Sequence, residues 1–188
     1  MTPGLAEELL TYNVAGLLGE PPGSSRSYAI AGVILDLGPD LVQADPVEGA
    51  IRVARTNRGI LVTGRLTTSL AMTCSRCLRE IEVPLVLMLE EEVLPSIDLV
   101  TGLALDTGVE PDLPRLTDHH ELELEPLVRE AIQLAEPIAP LCRIDCPGLC
   151  VVCGRELAEG GHEHGPEAID ARLEALRGFR VDDGGDPG

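Results

Sequence analysis

Cysteines are the residues of this chain whose spacing points most directly to chemistry. The chain has six, and four of them, Cys142, Cys146, Cys150 and Cys153, lie within twelve residues. Four thiolates this close repel one another unless a cation binds them, and zinc takes four such ligands at the corners of a tetrahedron. Cys150 and Cys153 form a C-x-x-C pair followed by glycine, a tight turn through which two thiolates can reach one ion. The spacing therefore predicts one zinc ion, bound mainly by these four cysteines.

A second C-x-x-C pair leaves the ligand set open. This pair lies between two predicted strands and could complete a site together with Cys150 and Cys153. Two histidines just beyond Cys153 are alternative nitrogen ligands for the same ion. The residues of this second choice are Cys74, Cys77, His162 and His164. An iron–sulfur cluster is a further alternative to zinc, although nothing else in the sequence indicates redox chemistry.

The sequence contains little that indicates catalysis. A thiol-redox enzyme usually places its C-x-x-C at the start of a helix, where the helix dipole lowers a thiol pKa, whereas Cys74 follows one predicted strand and precedes another. We find no Ser-His-Asp set, phosphate-cradling glycine loop or H-E-x-x-H motif. A zinc ion with four protein ligands has no open position for a reactive water. We therefore predict a non-enzymatic protein with a structural metal; the alternative is a thiol-redox or metal-handling protein.

Charge is distributed unevenly along the chain. The net charge is −18, from 32 acidic and 14 basic residues, and every basic residue is arginine. Residues 50–79 carry six arginines and no acid, whereas residues 80–130 carry fourteen acids and two arginines. The overall acidity disfavours general nucleic-acid binding and favours a basic partner. Within residues 50–79, Arg52, Arg65 and Arg76 are candidates for contacts with RNA phosphates; the alternative is that they line a solvated strand face.

Hydrophobic periodicity predicts an antiparallel β core. Apolar and polar residues alternate over residues 47–53, 60–72 and 81–93, which is typical of strands. Pro126 is a favourable first residue for an amphipathic helix over residues 126–136 that packs on the sheet. The predicted fold class is α+β: an antiparallel β meander, as a sheet or a partly closed barrel, with a packed helix and a small C-terminal Cys-rich metal subdomain.

The aromatic content of the chain is 2%, so the core must be built from leucine, valine, isoleucine and alanine. No signal-peptide pattern and no apolar stretch of about 20 residues is visible, so we expect a soluble, cytoplasmic protein. Residues 95–120 are predicted to form a long mobile loop.

The chain is predicted to have four segments. They are an irregular or helical arm at 1–26, the β core at 27–138, a Cys-rich metal-binding segment with a short helix (166–176) at 139–176, and a disordered tail at 177–188.

Five blocks of the sequence occur in the order found in a known family. They are Asn13–Leu18, Gly49–Gly64, Cys74–Leu78, Leu122–Ile132 and Leu141–Gly154, within residues 10–176. Together they resemble the YceD family, long catalogued as a bacterial domain of unknown function. Many relatives have a C-x-C where this chain has His162, Glu163 and His164. Because histidine can also bind a metal, the difference favours a ligand role for these histidines.

The resemblance implies a function in ribosome biogenesis. Members of the family are associated with accumulation of large-subunit ribosomal RNA, and their genes commonly neighbour that of a small zinc-ribbon protein of the large subunit. The implied partners are large ribosomal subunit precursors, bound through rRNA or through a basic ribosomal protein. We expect neither a membrane nor a small-molecule substrate among the binding partners. The acidic residues 80–130 suit a basic ribosomal protein, and the arginines of residues 50–79 suit rRNA.

Overall fold

The computed structural model describes residues 10–105, 112–160, 163–164 and 172–173. The chain divides into two compact units, Met1–Cys146 and Pro147–Gly188, so the first unit extends beyond the predicted β core and includes Cys142 and Cys146. Most of the predicted helix at 166–176, the tail at 177–188 and His162 lie outside the described residues.

The first unit is built on a four-stranded antiparallel sheet with the strand order β2-β3-β4-β5. This order confirms the predicted antiparallel meander, because each strand pairs with its neighbour in sequence. In the part of the chain that the structure describes, β2 and β5 are the edges of this sheet. The strands are β2 (Ser25–Val33), β3 (Val42–Arg55), β4 (Ile60–Thr73) and β5 (Glu80–Val93).

Alternation of side chains gives the sheet a buried and an exposed face. In β4, Val62 and Leu66 are buried, whereas Arg65 is exposed and Thr63 is half-buried. The register pairs Arg65 with Ala50 of β3 on one side and with Met88 of β5 on the other. Because paired residues of antiparallel strands share a face, these residues all lie on the outer face of the sheet.

Gly49 marks an irregular stretch in β3. The register between β3 and β4 shifts between Asp45 and Glu48, and Gly49 has a φ of 144°. A Cβ atom at Gly49 would lie 2.4 Å from the carbonyl oxygen of Arg65. Only glycine permits this close approach of the two backbones at a bulge.

A second, two-stranded sheet and two helices complete the first unit. Strands β1 (Thr11–Asn13) and β6 (Glu121–Glu123) pair antiparallel, and a short helix α1 (Ala15–Leu18) follows β1. Helix α2 (Glu125–Ala135) starts and ends one residue before the predicted bounds. It contacts β5, and its side chains Leu127, Val128 and Ile132 are buried within the same apolar cluster as the strand residues. The cluster is aliphatic, as the low aromatic content predicts.

The stretch predicted as a mobile loop at 95–120 is anchored in its described parts. Leu94 donates its N–H to the Pro114 carbonyl, and Leu116 donates to the Leu94 carbonyl, both at 2.9 Å. The side chains of both residues, Leu94 and Leu116, are buried. These contacts tie the segment to the residue that follows β5, and the Leu116 side chain belongs to the apolar core cluster.

None of the helices among the described residues has the length and apolar character needed to cross a membrane.

Candidate metal centre

The turn between β4 and β5 positions the first cysteine pair. The N–H of Cys74 donates to the carbonyl of Arg79 at 2.8 Å, and the N–H of Leu78 donates to the carbonyl of Cys74 at 3.0 Å. Leu78 adopts a φ of 58°, the left-handed conformation that reverses the chain within this turn. Cys74 and Cys77 are both buried, so the turn directs both thiols inwards.

A second segment, after helix α2, carries Cys142 and Cys146 to the same place. The N–H of Ser75 donates to the Pro140 carbonyl at 2.8 Å. The Arg76 Nη1 donates to the Cys146 carbonyl at 2.9 Å. These bonds fix the segment after α2 against the β4–β5 turn, although about 70 residues of chain lie between them.

The four sulfur atoms have the spacing of a zinc tetrahedron. All four lie within 4.8 Å of one another, with Cys74 Sγ 3.9 Å from Cys146 Sγ and Cys77 Sγ 3.7 Å from Cys142 Sγ. Zinc–sulfur bonds of about 2.3 Å give a tetrahedron with sulfur–sulfur edges of about 3.8 Å. All four cysteines are free, as expected at separations far above the roughly 2.05 Å of a disulfide. Cys74, Cys77, Cys142 and Cys146 therefore fit a tetrahedral thiophilic cation.

Hydrogen bonding and crowding move the thiol pKa values in opposite directions. Backbone N–H groups, first that of Cys77 and then that of Cys142, lower the pKa of Cys74 to about 6. The neighbouring Cys146 side chain and burial raise the pKa of Cys142 to about 12. A full set of thiolates is therefore strongly disfavoured on its own. A bound cation removes the repulsion and lets the remaining thiols ionise.

The burial of Cys74 separates this arrangement from a reactive thiol. A low thiol pKa is also typical of redox cysteines, but these are partially exposed. Cys74 is 0% exposed, and its sulfur contacts Cys146, which comes from a different segment of the chain. The geometry therefore favours metal binding over thiol–disulfide exchange with a partner.

The structure divides the cysteines differently from the first prediction. Cys142 and Cys146 lie with Cys74 and Cys77, and a second cluster in the second unit joins the remaining two cysteines to a histidine. The pairing across the first unit was not among the predicted sets. The members of the second cluster are Cys150, Cys153 and His164.

A repeat in the sequence could have indicated this division. The pattern C-x-x-C-x-R-E occurs at residues 74–80 and again at residues 150–156. It marks two cysteine turns of one kind, and each turn supplies two ligands and needs others from elsewhere. The clustering of four cysteines within residues 142–153 obscured this, because half of them belong to one cluster and half to the other.

The predicted RNA-contacting arginines have different surroundings. Arg52 and Arg65 are exposed on the outer face of paired strands, and neither side chain has a hydrogen bond or ion pair with any residue that the structure describes. Arg76 is exposed as well, but its guanidinium bonds to the carbonyl of Cys146. Arg76 therefore contributes to the metal centre, whereas Arg52 and Arg65 remain candidates for an external contact.

Comparison with known proteins adds a family to this geometry. The profile of the family described as "Large ribosomal RNA subunit accumulation protein YceD" matches residues 62–180, which include all six cysteines. An uncharacterized protein of Mycobacterium tuberculosis is 35% identical over 173 residues, which span 89% of this chain and 79% of the relative. An uncharacterized protein of Mycobacterium bovis matches with the same identity and coverage.

A more distant relative covers less of both chains. An uncharacterized protein of Mycobacterium leprae is 30% identical over 120 residues, 63% of this chain and 53% of its own length. No solved structure matches the chain. The family match extends over most of the chain, and the 35% identical relatives extend over more of it. The chain therefore belongs to the YceD family, which is described as a family of large ribosomal RNA subunit accumulation proteins.

Proposed function

We propose that this protein is a non-enzymatic ribosome-biogenesis factor that supports accumulation of large-subunit rRNA by binding a basic protein of large ribosomal subunit precursors. Zinc bound by Cys74, Cys77, Cys142 and Cys146 is structural in this proposal. A role on such precursors implies a cytoplasmic location. The observation that carries the choice of partner is the acidic edge strand β5.

The outer edge of β5 pairs with no other strand that the structure describes, and helix α2 is in contact with β5. β5 spans Glu80–Val93, and within the described part of the chain it pairs with β4 alone. A strand at a sheet edge presents unpaired backbone N–H and C=O groups, which can pair with an extended segment of another chain. This mode of binding needs no catalytic group and no preformed pocket.

The side chains along β5 select the kind of segment that would bind there. Exposed acids stand at both ends of the strand, and the apolar side chains Val86 and Met88, 50% and 69% exposed, lie between them. A groove of about 280 Å³ between β5 and α2 includes these residues together with Leu134 and Glu130. An extended basic segment with one or two apolar side chains complements this surface in charge and shape. The exposed acids are Glu80, Glu82, Glu90 and Glu91.

A second candidate contact is rRNA itself. Arg52 and Arg65 are diagonal neighbours on the outer sheet face, because Arg52 pairs with Thr63 and Ala50 pairs with Arg65. Two exposed guanidinium groups could each hold a phosphate. The surrounding acidity opposes this contact: Glu90 pairs with Thr63 on the same face, and the net charge of the chain is −18. We therefore rank rRNA contact below binding of a basic protein.

The two contacts can be separated with charge variants of the full chain. Glu90→Gln with Glu91→Gln should reduce cosedimentation with large-subunit precursors in density gradients and lower the cellular level of large-subunit rRNA. Glu92 should be kept, because it accepts a hydrogen bond from Thr56 Oγ1 at 2.9 Å and lies 4.0 Å from Arg58. A matched control, Asp36→Asn with Asp40→Asn, makes the same change in net charge at exposed sites in the β2–β3 connection, where Asp36→Asn keeps the side-chain oxygen that accepts the N–H of Gly38.

The arginine variant provides the opposite arm of the experiment. Arg52→Gln with Arg65→Gln should leave cosedimentation intact if the partner is a basic protein. If this variant instead loses binding, with a salt slope reduced by about 0.7–0.9 per phosphate contact, the contact is with rRNA. If both variants bind precursors as the unaltered protein does, neither surface makes the contact and the proposal is wrong.

A further inference from the structure

The second cysteine turn repeats the backbone of the first. The N–H of Cys150 donates to the carbonyl of Arg155, and the N–H of Gly154 donates to the carbonyl of Cys150, both at 2.8 Å. These are the same two bonds, at the same offsets from the first cysteine, that close the β4–β5 turn at Cys74. The residue after the second cysteine has a positive φ in both turns, 58° at Leu78 and 72° at Gly154.

The flanking strand positions repeat as well. Thr73 pairs with Glu80 at the base of the first turn, and Leu149 pairs antiparallel with Glu156 at the base of the second. The two turns therefore share sequence, hydrogen bonding and register. Since the first turn presents two sulfur atoms to a tetrahedral site, the second is built to present two sulfur atoms in the same way.

A third ligand lies beside the second turn. The ligand atoms of Cys150, Cys153 and His164 all lie within 4.8 Å of one another, and Cys150 Sγ is 3.1 Å from His164 Nε2. In a zinc site with bonds of about 2.3 Å to sulfur and about 2.0 Å to nitrogen, the sulfur–nitrogen edge is about 3.6 Å. Lengthening the distance between Cys150 Sγ and His164 Nε2 by about half an ångström would make room for the ion.

The described residues of the second unit contain no buried aliphatic side chain that could form an apolar core. Among its described residues no leucine, isoleucine or valine is buried, and Val151 and Leu157 are 93% and 42% exposed. Cys150, by contrast, is buried. Very small units usually need a metal or disulfides in place of an apolar core, and Cys150 and Cys153 form no disulfide.

We propose that the second unit has its own metal centre, in which Cys150, Cys153 and His164 bind a divalent cation of the zinc class, and that the cysteine turn at residues 150–156 is stabilised by it. The centre has three ligands among the described residues. Two of them, Cys153 and His164, are exposed. The proposal is independent of the ribosomal function.

Metal content tests the proposal directly. The unaltered full chain, purified without oxygen and without a metal-binding tag, should contain two zinc ions per chain by elemental analysis, one for each cluster. Cys150→Ser with Cys153→Ser should contain one, with the far-ultraviolet circular dichroism of the β core retained. Equal zinc content in the unaltered chain and the variant would show that Cys150 and His164 form only a thiol–imidazole hydrogen bond, and would overturn the proposal.

Cobalt substitution provides a readout that does not depend on a double variant. With Co²⁺ in place of zinc, His164→Ala should change the ligand-field absorption bands, because a nitrogen ligand is lost from one of the two centres. His119→Ala, at an exposed histidine beside Asp118, is the matched control and should leave the bands unchanged. Identical spectra for the two variants would remove His164 from the ligand set and contradict the proposal.

Discussion

The two cysteine turns have one local structure and two different surroundings. The turn at residues 74–80 joins two strands of fourteen residues each, and its sulfur atoms meet a second buried cysteine pair from a segment some 70 residues away. The turn at residues 150–156 joins single bridge residues, and its nearby ligand is an exposed histidine fourteen residues on. The first would cross-link distant parts of a folded core, and the second would organise a local segment. A C-x-x-C turn thus fixes the position of two ligands but not what the bound metal does for the molecule.

The largest expected difference between the turns is in global stability. Cys74→Ser with Cys77→Ser removes a cross-link between Cys77 and Cys142, which are 65 positions apart, and closing a loop of that length by a cross-link contributes about 4 kcal/mol. The free energy of unfolding of the β core, measured by urea titration, should fall by about this amount. The matched change, Cys150→Ser with Cys153→Ser, should alter the free energy of unfolding of the β core by less than about 0.5 kcal/mol.

A reversal of this pattern would break the comparison. If the change at Cys150 and Cys153 lowers the stability of the β core as strongly as the change at Cys74 and Cys77, then the second turn is not a local element. If neither change has an effect on the unfolding of the β core, then the first centre is not a cross-link and the loop-closure argument is wrong.

A smaller difference is expected at the third position of each turn. Arg76 donates a hydrogen bond to the Cys146 carbonyl, so Arg76→Gln should lower the free energy of unfolding by about 1 kcal/mol. Val152 occupies the equivalent position in the second turn and is 59% exposed. Val152→Gln should therefore change the free energy of unfolding by less than about 0.5 kcal/mol. Thermal unfolding followed by circular dichroism measures both, and equal losses would show that the contact of Arg76 contributes nothing specific.

The smallest effect concerns the residue with positive φ in each turn. Gly154 has no heavy atom within 4 Å of the position of an added Cβ, so Gly154→Ala would cost only backbone strain, about 1 kcal/mol. This should weaken zinc binding at the second centre about fivefold in a competition titration with a chelator. Leu78 already bears such strain and its side chain is 64% exposed, so Leu78→Gly should not weaken the first centre. Weaker binding after Leu78→Gly would mean that the Leu78 side chain supports the site by packing.

The elements with strong periodicity could be predicted from sequence, and the ligand sets could not. Strands β3 to β5 and helix α2 follow from alternation and from Pro126 because each pattern determines which residues are buried locally. The grouping of Cys142 and Cys146 with Cys74 and Cys77 depends on where α2 ends relative to the β4–β5 turn. That is a tertiary relation between segments 65 residues apart, and no local spacing contains it.

The arginines show the same limit. Alternation places Arg52 and Arg65 opposite the apolar side chains of their strands, and both are exposed. It gave no indication that Arg76, in a turn, bonds to the carbonyl of a residue 70 positions away. Side chains in turns have no periodic pattern to indicate their direction, so their partners become visible only when the fold is known.

The long separation within the first cluster sets an order of events during protein synthesis. Cys74 and Cys77 leave the ribosome well before Cys142 and Cys146, since translation proceeds from the N-terminus and 65 residues separate Cys77 from Cys142. For that interval the first pair is a dithiol without its partner ligands, open to oxidation or to capture of an ion with incomplete coordination. The β4–β5 turn can form as soon as these two strands pair, and both strands precede Cys142 in the chain. Binding of a metal by all four cysteines would therefore be a late step in the maturation of the chain.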